Sequence, residues 1–181
     1  MKNYTLIAFV VLALVQLFVP LKMILDKEDV LRTGQVFKFK TAPVDPNDPF
    51  RGKYITLRFE ASRFPVSDPD AWTVNQEVFV HLTTDAEGFA QVVDVTTERS
   101  SQAFLKARIN SIAPDALFLT FPFDRYYMEE TKAYDAEQLY RESLSDTLQT
   151  TYALVRIKDG DAVLEDVMVD KVPIREAVKK E

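Results

Sequence analysis

The sequence predicts a mainly β, α+β domain, largely antiparallel, carried behind an N-terminal transmembrane helix. Three observations predict it. An apolar run lies within the first twenty-five residues, eight short downstream stretches carry apolar residues with strand spacing, and one stretch near 135–148 follows the period of a helix. The expected boundaries are therefore 1–25 for the anchor and 26–181 for a single soluble domain.

The anchor comes first in the chain. Tyr4 to Leu21 reads YTLIAFVVLALVQLFVPL, interrupted only by Gln16 and by Pro20 near its end. Those 18 residues meet the lower limit for crossing a hydrocarbon core of about 30 Å. Lys22 can snorkel, and Met23, Ile24 and Leu25 extend the apolar surface towards the interface. A cleaved signal peptide would end in small residues, and Phe18 to Leu25 offers none to a peptidase. Orientation is balanced by charge: Lys2 precedes the run, and Lys22, Lys27 and Arg32 follow it. A short tail before a signal-anchor leaves the bulk of the chain on the far side, so the expectation is a single-pass protein of the cell membrane with an extracytoplasmic, periplasmic domain.

Charge changes after the anchor. Residues 1–25 hold Lys2 and Lys22 and no acid, so the remainder carries 20 − 28 = −8. Such a surface suits neither a nucleic acid, which needs a basic patch, nor anionic lipid headgroups, so the domain is expected to stand off the bilayer. There are no cysteines and one histidine, His81. Disulfides, thiolate metal sites and cysteine nucleophiles are thereby excluded.

The soluble part starts with a charged juncture, Asp26 to Asp29, and Val30 to Gly34 reads as the lead-in to the first strand. Val36 to Lys40 alternates. Tyr54 to Phe59 alternates too, with Ile55, Leu57 and Phe59 on one face and Tyr54, Thr56 and Arg58 on the other. Glu77–Leu82 and Phe89–Val95 flank Asp85-Ala-Glu-Gly88, a hairpin signal. Ala103–Ile112, Leu117–Phe121, Thr151–Ile157 and Val163–Val169 complete the eight, the last two around Lys158-Asp-Gly160. The helix is expected to open at Asp135, with Gln138 three residues on as in a capping box. Ala136, Leu139, Tyr140, Ser143 and Leu144 give its apolar face, and it should end near Thr147 or Leu148.

The two parts of the domain, 36–99 and 104–174, resemble each other. Val78-Phe-Val-His-Leu, a turn and Ala90–Val95 align with Ala153-Leu-Val-Arg-Ile, Asp159-Gly160 and Ala162–Val169. Upstream of each lies a Pro-Phe pair, a basic residue and a tyrosine: Pro49 to Tyr54, and Pro122 to Tyr126. Either the domain is a duplication with the helix inserted in the second copy, or two ordinary hairpins share turn chemistry.

The stretch Thr41 to Phe59 is the most informative. Three prolines hold 43–49 extended and off any ladder, Asp45 and Asp48 suit Asx-turns, and Gly52 permits a tight turn into the next strand. Gly52, Tyr54, Leu57 and, conservatively, Phe59 resemble the signature of the GDYXXLXY proteins, with Lys53 in place of the aspartate. The resemblance extends to Pro43-Val-Asp-Pro, Asp48-Pro-Phe-Arg, the N-terminal run, Asp85…Gly88 and Arg125-Tyr-Tyr-Met-Glu129. It implies a bacterial, membrane-anchored protein and brings no catalytic chemistry with it.

Binding residues are read from the residue types. Arg51, Tyr54 and Arg58 beside Asp45 and Asp48 could line a polar groove, with Arg125, Tyr126, Tyr127, Glu129 and Glu130 as its counterpart in the second part. Tyr and Arg supply large contact area and directional hydrogen bonds; the plainer role for the same residues is to cap turns and fill a core. His81, between Val80 and Leu82, is expected on a solvent face or making one hydrogen bond. Asp45-Pro-Asn-Asp48 lacks the spaced loop of a calcium site. Gly34, Gly52, Gly88 and Gly160 are scattered, so no phosphate-cradling loop is expected. Ser62, Ser67, Ser100, Ser101 and Ser111 lack a Ser-Lys peptidase context. No cofactor, catalytic residue or metal is expected. The expected function is a tethered interaction or assembly module that binds another membrane or envelope protein. The alternative is an envelope hydrolase or ligand-binding enzyme using Asp48, Glu129 and Glu130.

Overall fold

The computed structural model describes residues 2–42, 54–99, 103–127, 130–145 and 150–177. Helix α1 (Lys2–Thr33) has 32 residues and is about 48 Å long at about 1.5 Å per residue. Pro20 lies within it without ending it. Along the apolar run its side chains face away from the protein, as at Leu6, Phe9, Phe18 and Leu25, all exposed. The charged juncture continues the helix instead of closing it, because Lys22 pairs with Asp26 and Arg32 with Glu28 one turn apart. The expected lead-in at Val30 is the last helical turn: Val30 is buried, and Lys158 Nζ reaches Asp29 at 2.6 Å and Thr33 Oγ1 at 2.8 Å. Gly34 ends the helix, donating its N–H to the Val30 carbonyl at 2.9 Å, where a Cβ would stand 2.5 Å from that oxygen.

The strands are β1 (Gln35–Lys40), β2 (Tyr54–Thr56), β3 (Arg63–Pro65), β4 (Glu77–Thr84), β5 (Ala90–Thr96), β6 (Phe104–Ala113), β7 (Ala116–Thr120) and β8 (Arg125–Tyr127). Helix α2 (Glu130–Ser145), β9 (Thr151–Lys158), β10 (Asp161–Val169), β11 (Val172–Pro173) and α3 (Ile174–Ala177) follow. All eight expected stretches carry a strand. Only Tyr54–Thr56 of the second is laddered, while Phe59 makes a single bridge to Thr41. Helix α2 opens five residues before Asp135, so the expected capping box lies inside it; Ala136, Tyr140 and Ser143 are its buried face as expected.

Two antiparallel sheets, β1-β9-β10-β11 and β3-β7-β6-β4-β5, are joined at two seams by single parallel bridges, Lys38 to Phe89 and Leu105 to Gly160. The strands β1, β9, β10, β6, β4 and β5 thus run round one core. Strands of the two sequence parts interleave: β1 pairs with β9, and β6 with β4. Within the core Phe39, Phe59, Phe121 and Phe123 lie with ring centroids 5.0 to 6.0 Å apart in every pair, the spacing of favourable tilted and offset rings. A separate two-stranded ribbon, β2 with β8, lies outside both sheets.

Candidate functional site

The ribbon joins the two tyrosine- and arginine-bearing segments that the sequence separates. Its register sets Tyr54 opposite Tyr127, Ile55 opposite Tyr126 and Thr56 opposite Arg125. Alternation then sorts the side chains: Ile55 and Tyr126 are buried, and Tyr127 and Arg125 are exposed. Arg125 lies 3.9 Å from Asp124, and Arg58, just beyond β2, is exposed while its carbonyl accepts the Ala42 N–H at 2.8 Å. Asp45, Asp48, Arg51 and Glu129 lie outside the described residues, as do Gly52 and Lys53. Tyr54 is placed on β2, and Glu130 begins α2.

Tyr126 turns inward to a carboxylate that carries no local signal in the sequence. Its hydroxyl donates to Asp166 Oδ1 at 2.8 Å; the same oxygen accepts the Val167 N–H at 2.9 Å, and Oδ2 faces the Arg175 guanidinium at 2.9 Å. Asp166 is buried. Burial pushes the Tyr126 phenol well above its ordinary range, the hydrogen bond to Asp166 and its charge add to this, and Arg175 opposes it. The phenol is therefore a standing proton donor to Asp166 at neutral pH. Tyr140 is pushed up likewise, by burial, with weak opposition from Thr41 and the Arg58 backbone. Among the described residues its hydroxyl finds no partner in hydrogen-bond geometry.

His81 is buried, not on a solvent face, and makes one side-chain contact of hydrogen-bond length, Nε2 to Thr96 Oγ1 at 3.1 Å. Its side of β4 is covered by Phe104, whose ring centroid is 5.5 Å from that of Phe79 and 6.4 Å from that of His81. The Asp45–Asp48 segment weighed for calcium lies outside the described residues. Among the described residues no group of three His, Asp or Glu is placed to hold a metal ion.

A second place was not singled out by sequence. Beside the Leu105–Gly160 seam, where one bridge replaces a ladder, a cleft of about 490 Å³ opens next to the C-terminal part of α1. Lys27, Arg99, Lys106 and Arg108 line it, against Glu77 and Asp161. Arg108 pairs with Glu77 at 3.1 Å and Lys106 with Asp161 at 3.6 Å. Arg99 stands 5.7 Å from the centroid of the Phe79 ring, and Lys27 has no carboxylate partner among the described residues. Among the described residues, then, neither Lys27 nor Arg99 is paired with a carboxylate, in a chain of net charge −6. They come from α1 and from the segment after β5, so only the fold brings them together; the outward alternation of Lys106 and Arg108 was the one local signal.

The family model described as GDYXXLXY protein matches residues 16–167, well over half of the chain. Neither the comparison with curated proteins nor that with solved structures gave a match. The chain belongs to the GDYXXLXY family.

Proposed function

We propose that this GDYXXLXY protein is a membrane-anchored interaction module of the bacterial envelope. Helix α1 crosses the membrane once as a signal-anchor, the domain sits on the extracytoplasmic, periplasmic side, and the β2–β8 ribbon engages another membrane or envelope protein. The observation that carries the reading is the ribbon, which sets Tyr127 and Arg125 outward on one surface. Tyrosine and arginine anchor recognition surfaces because each combines broad contact with directional hydrogen bonds. Two features of α1 support the tether: it is long and apolar enough to cross a membrane, and its apolar window is not buried in the protein. The seat of its last turns on β9 holds the domain in a set orientation, and tethering raises the local concentration of a weak surface.

Crosslinking of the full chain in its native membrane tests this. Tyr127→Ala and Arg58→Ala should each lower recovery of the crosslinked partner by about tenfold, equivalent to about 1.4 kcal/mol, with the thermal unfolding midpoint unchanged. Unchanged recovery in both variants removes the ribbon as the binding surface. Protease treatment of spheroplasts checks the orientation: a domain cleaved only after the membrane is broken would overturn the outward placement.

A further inference from the structure

The cleft beside α1 has a position as well as a charge. The apolar run of the helix ends at Leu25, and Lys27 follows it by two residues, about 3 Å along the axis. If α1 crosses the membrane, the mouth of the cleft lies at the depth of the lipid headgroups. Lys27 offers a compact ammonium there, and Arg99 a planar fork held over Phe79. The floor is apolar, with Phe121, Ala107 and Ala162 among its lining. A volume of about 490 Å³ falls within the range of about 300–1,000 Å³ usual for small-ligand sites.

We propose that this cleft binds the phosphate of an anionic phospholipid headgroup, with Lys27 and Arg99 as the charges that hold it. Two of the four cations are satisfied by Glu77 and Asp161, which shape the cleft and leave a net positive charge of two at its mouth. Phosphate suits this arrangement because a guanidinium meets two of its oxygens at once while the ammonium acts as a point charge. The glycerol and the first methylenes of the chains would lie against the apolar floor. The domain as a whole, cleft included, carries −8, so an anionic lipid is repelled elsewhere and drawn to this one place. The bound headgroup would thereby set how the domain is turned against the bilayer. The assignment of the phosphate to a lipid rests on reading α1 as the anchor; the charge arrangement does not.

The full chain, exchanged from detergent into nanodiscs of phosphatidylcholine with phosphatidylglycerol, is released for native mass spectrometry, alongside the double variant Lys27→Ala/Arg99→Ala. Both side chains are exposed, so the variant should keep the wild-type melting curve. The expected result is one retained phosphatidylglycerol on the wild type, with retention at least tenfold lower in the variant and no such difference for phosphatidylcholine. Equal retention of both lipids by the wild type, or equal phosphatidylglycerol on both proteins, overturns the proposal. A titration of the detergent-solubilised chain with glycerol 3-phosphate separates the two readings. Binding that depends on Lys27 and Arg99, without lipid preference, overturns the headgroup and leaves a soluble phosphate ester as the ligand. Failure of the chain to remain in membranes through alkaline carbonate extraction overturns the anchor instead, and the same titration then decides the cleft alone.

Discussion

In the first part of the domain β4 and β5 pair with His81 opposite Asp94, and in the second β9 and β10 pair with Leu154 opposite Asp166. Both ladders carry a register shift beside the aspartate, and in both Asp Oδ1 accepts the N–H of the following valine, Val95 or Val167, at 2.9 Å. The neighbours correspond as well: β6 flanks β4 as β1 flanks β9, and Phe89 and Gly160, close by the two turns, make the two parallel bridges. The two hairpins thus share a bulge, a side-chain-bound amide and a bridge to a flanking strand. The surroundings of the two aspartates then diverge. Asp94 is exposed on β5, whereas β8 and α3 cover β10 and enclose Asp166 between Tyr126 and Arg175. One local device, an aspartate that binds the next amide at a bulge, thus closes a surface bulge in one place and is the hub of a buried network in the other.

The largest test of that contrast is the pair Asp166→Ala and Asp94→Ala. Removing Asp166 leaves a buried phenol and the Arg175 guanidinium without their acceptor, and should cost about 3 kcal/mol. Removing the exposed Asp94 should cost less than about 1 kcal/mol. Urea unfolding reads both, and equal losses would mean that the enclosure of Asp166 contributes nothing.

A smaller difference is expected at the turns. Gly88 has φ 82° and Gly160 φ 84°, so an alanine at either is strained by about 1–2 kcal/mol in the left-handed region. Around Gly88 there is room, with the Lys38 ammonium nearest at 3.5 Å; at Gly160 a Cβ would lie 2.4 Å from the Phe104 ring and 3.2 Å from Lys106. Gly160→Ala should therefore exceed Gly88→Ala by about 1 kcal/mol, the scale of a modest overpacking. Phe104→Ala in the Gly160→Ala background should shrink that excess, and an excess that persists would place the strain in the backbone alone.

What the sequence made legible follows from the range of its signals. Strand alternation and the 3.6-residue spacing of Ala136, Tyr140 and Ser143 are local, and they placed the eight strands and the face of α2. Register is different. The alignment of Val78 with Ala153 is two residues out, since the ladders match Val80, opposite Val95, to Ala153, opposite Val167. A slip of two keeps every side chain on its face, so periodicity alone does not detect it. β3, β8 and β11, at two or three residues, are too short to show a period. Asp166 meets Tyr126 from 40 residues away, and the cleft gathers its cations from α1, β6 and the segment after β5. The Asp166 contact has no local signature, and the cleft only the outward alternation of Lys106 and Arg108. The pairing of β2 with β8 is of the same kind, although both of its segments were singled out for their tyrosines and arginines.

The loss of a stability gap with pH sharpens the role of Tyr126. Phenylalanine there keeps the ring and removes one donor to Asp166, which retains the Val167 amide and Arg175; the expected cost near neutral pH is about 1–1.5 kcal/mol. The folded phenol holds its proton beyond the ordinary value of about 10 that it has in the unfolded chain. Above that pH the folded state binds more protons than the unfolded one, so this contribution is complete below pH about 10 and declines as pH rises past it. The stability gap between wild type and Tyr126→Phe should accordingly hold from pH 7 to 9 and narrow by pH 11. Tyr140 shifts in the same direction for the same first cause, but it remains in both proteins and cancels in the difference. Absorbance at 295 nm gives the independent check: the native wild type should show its last tyrosinates only at the alkaline unfolding step, with one fewer in the variant. A gap that stays constant to pH 11 would mean that the phenol ionises freely in the folded state, and that the enclosure distinguishing Asp166 from Asp94 is open to water.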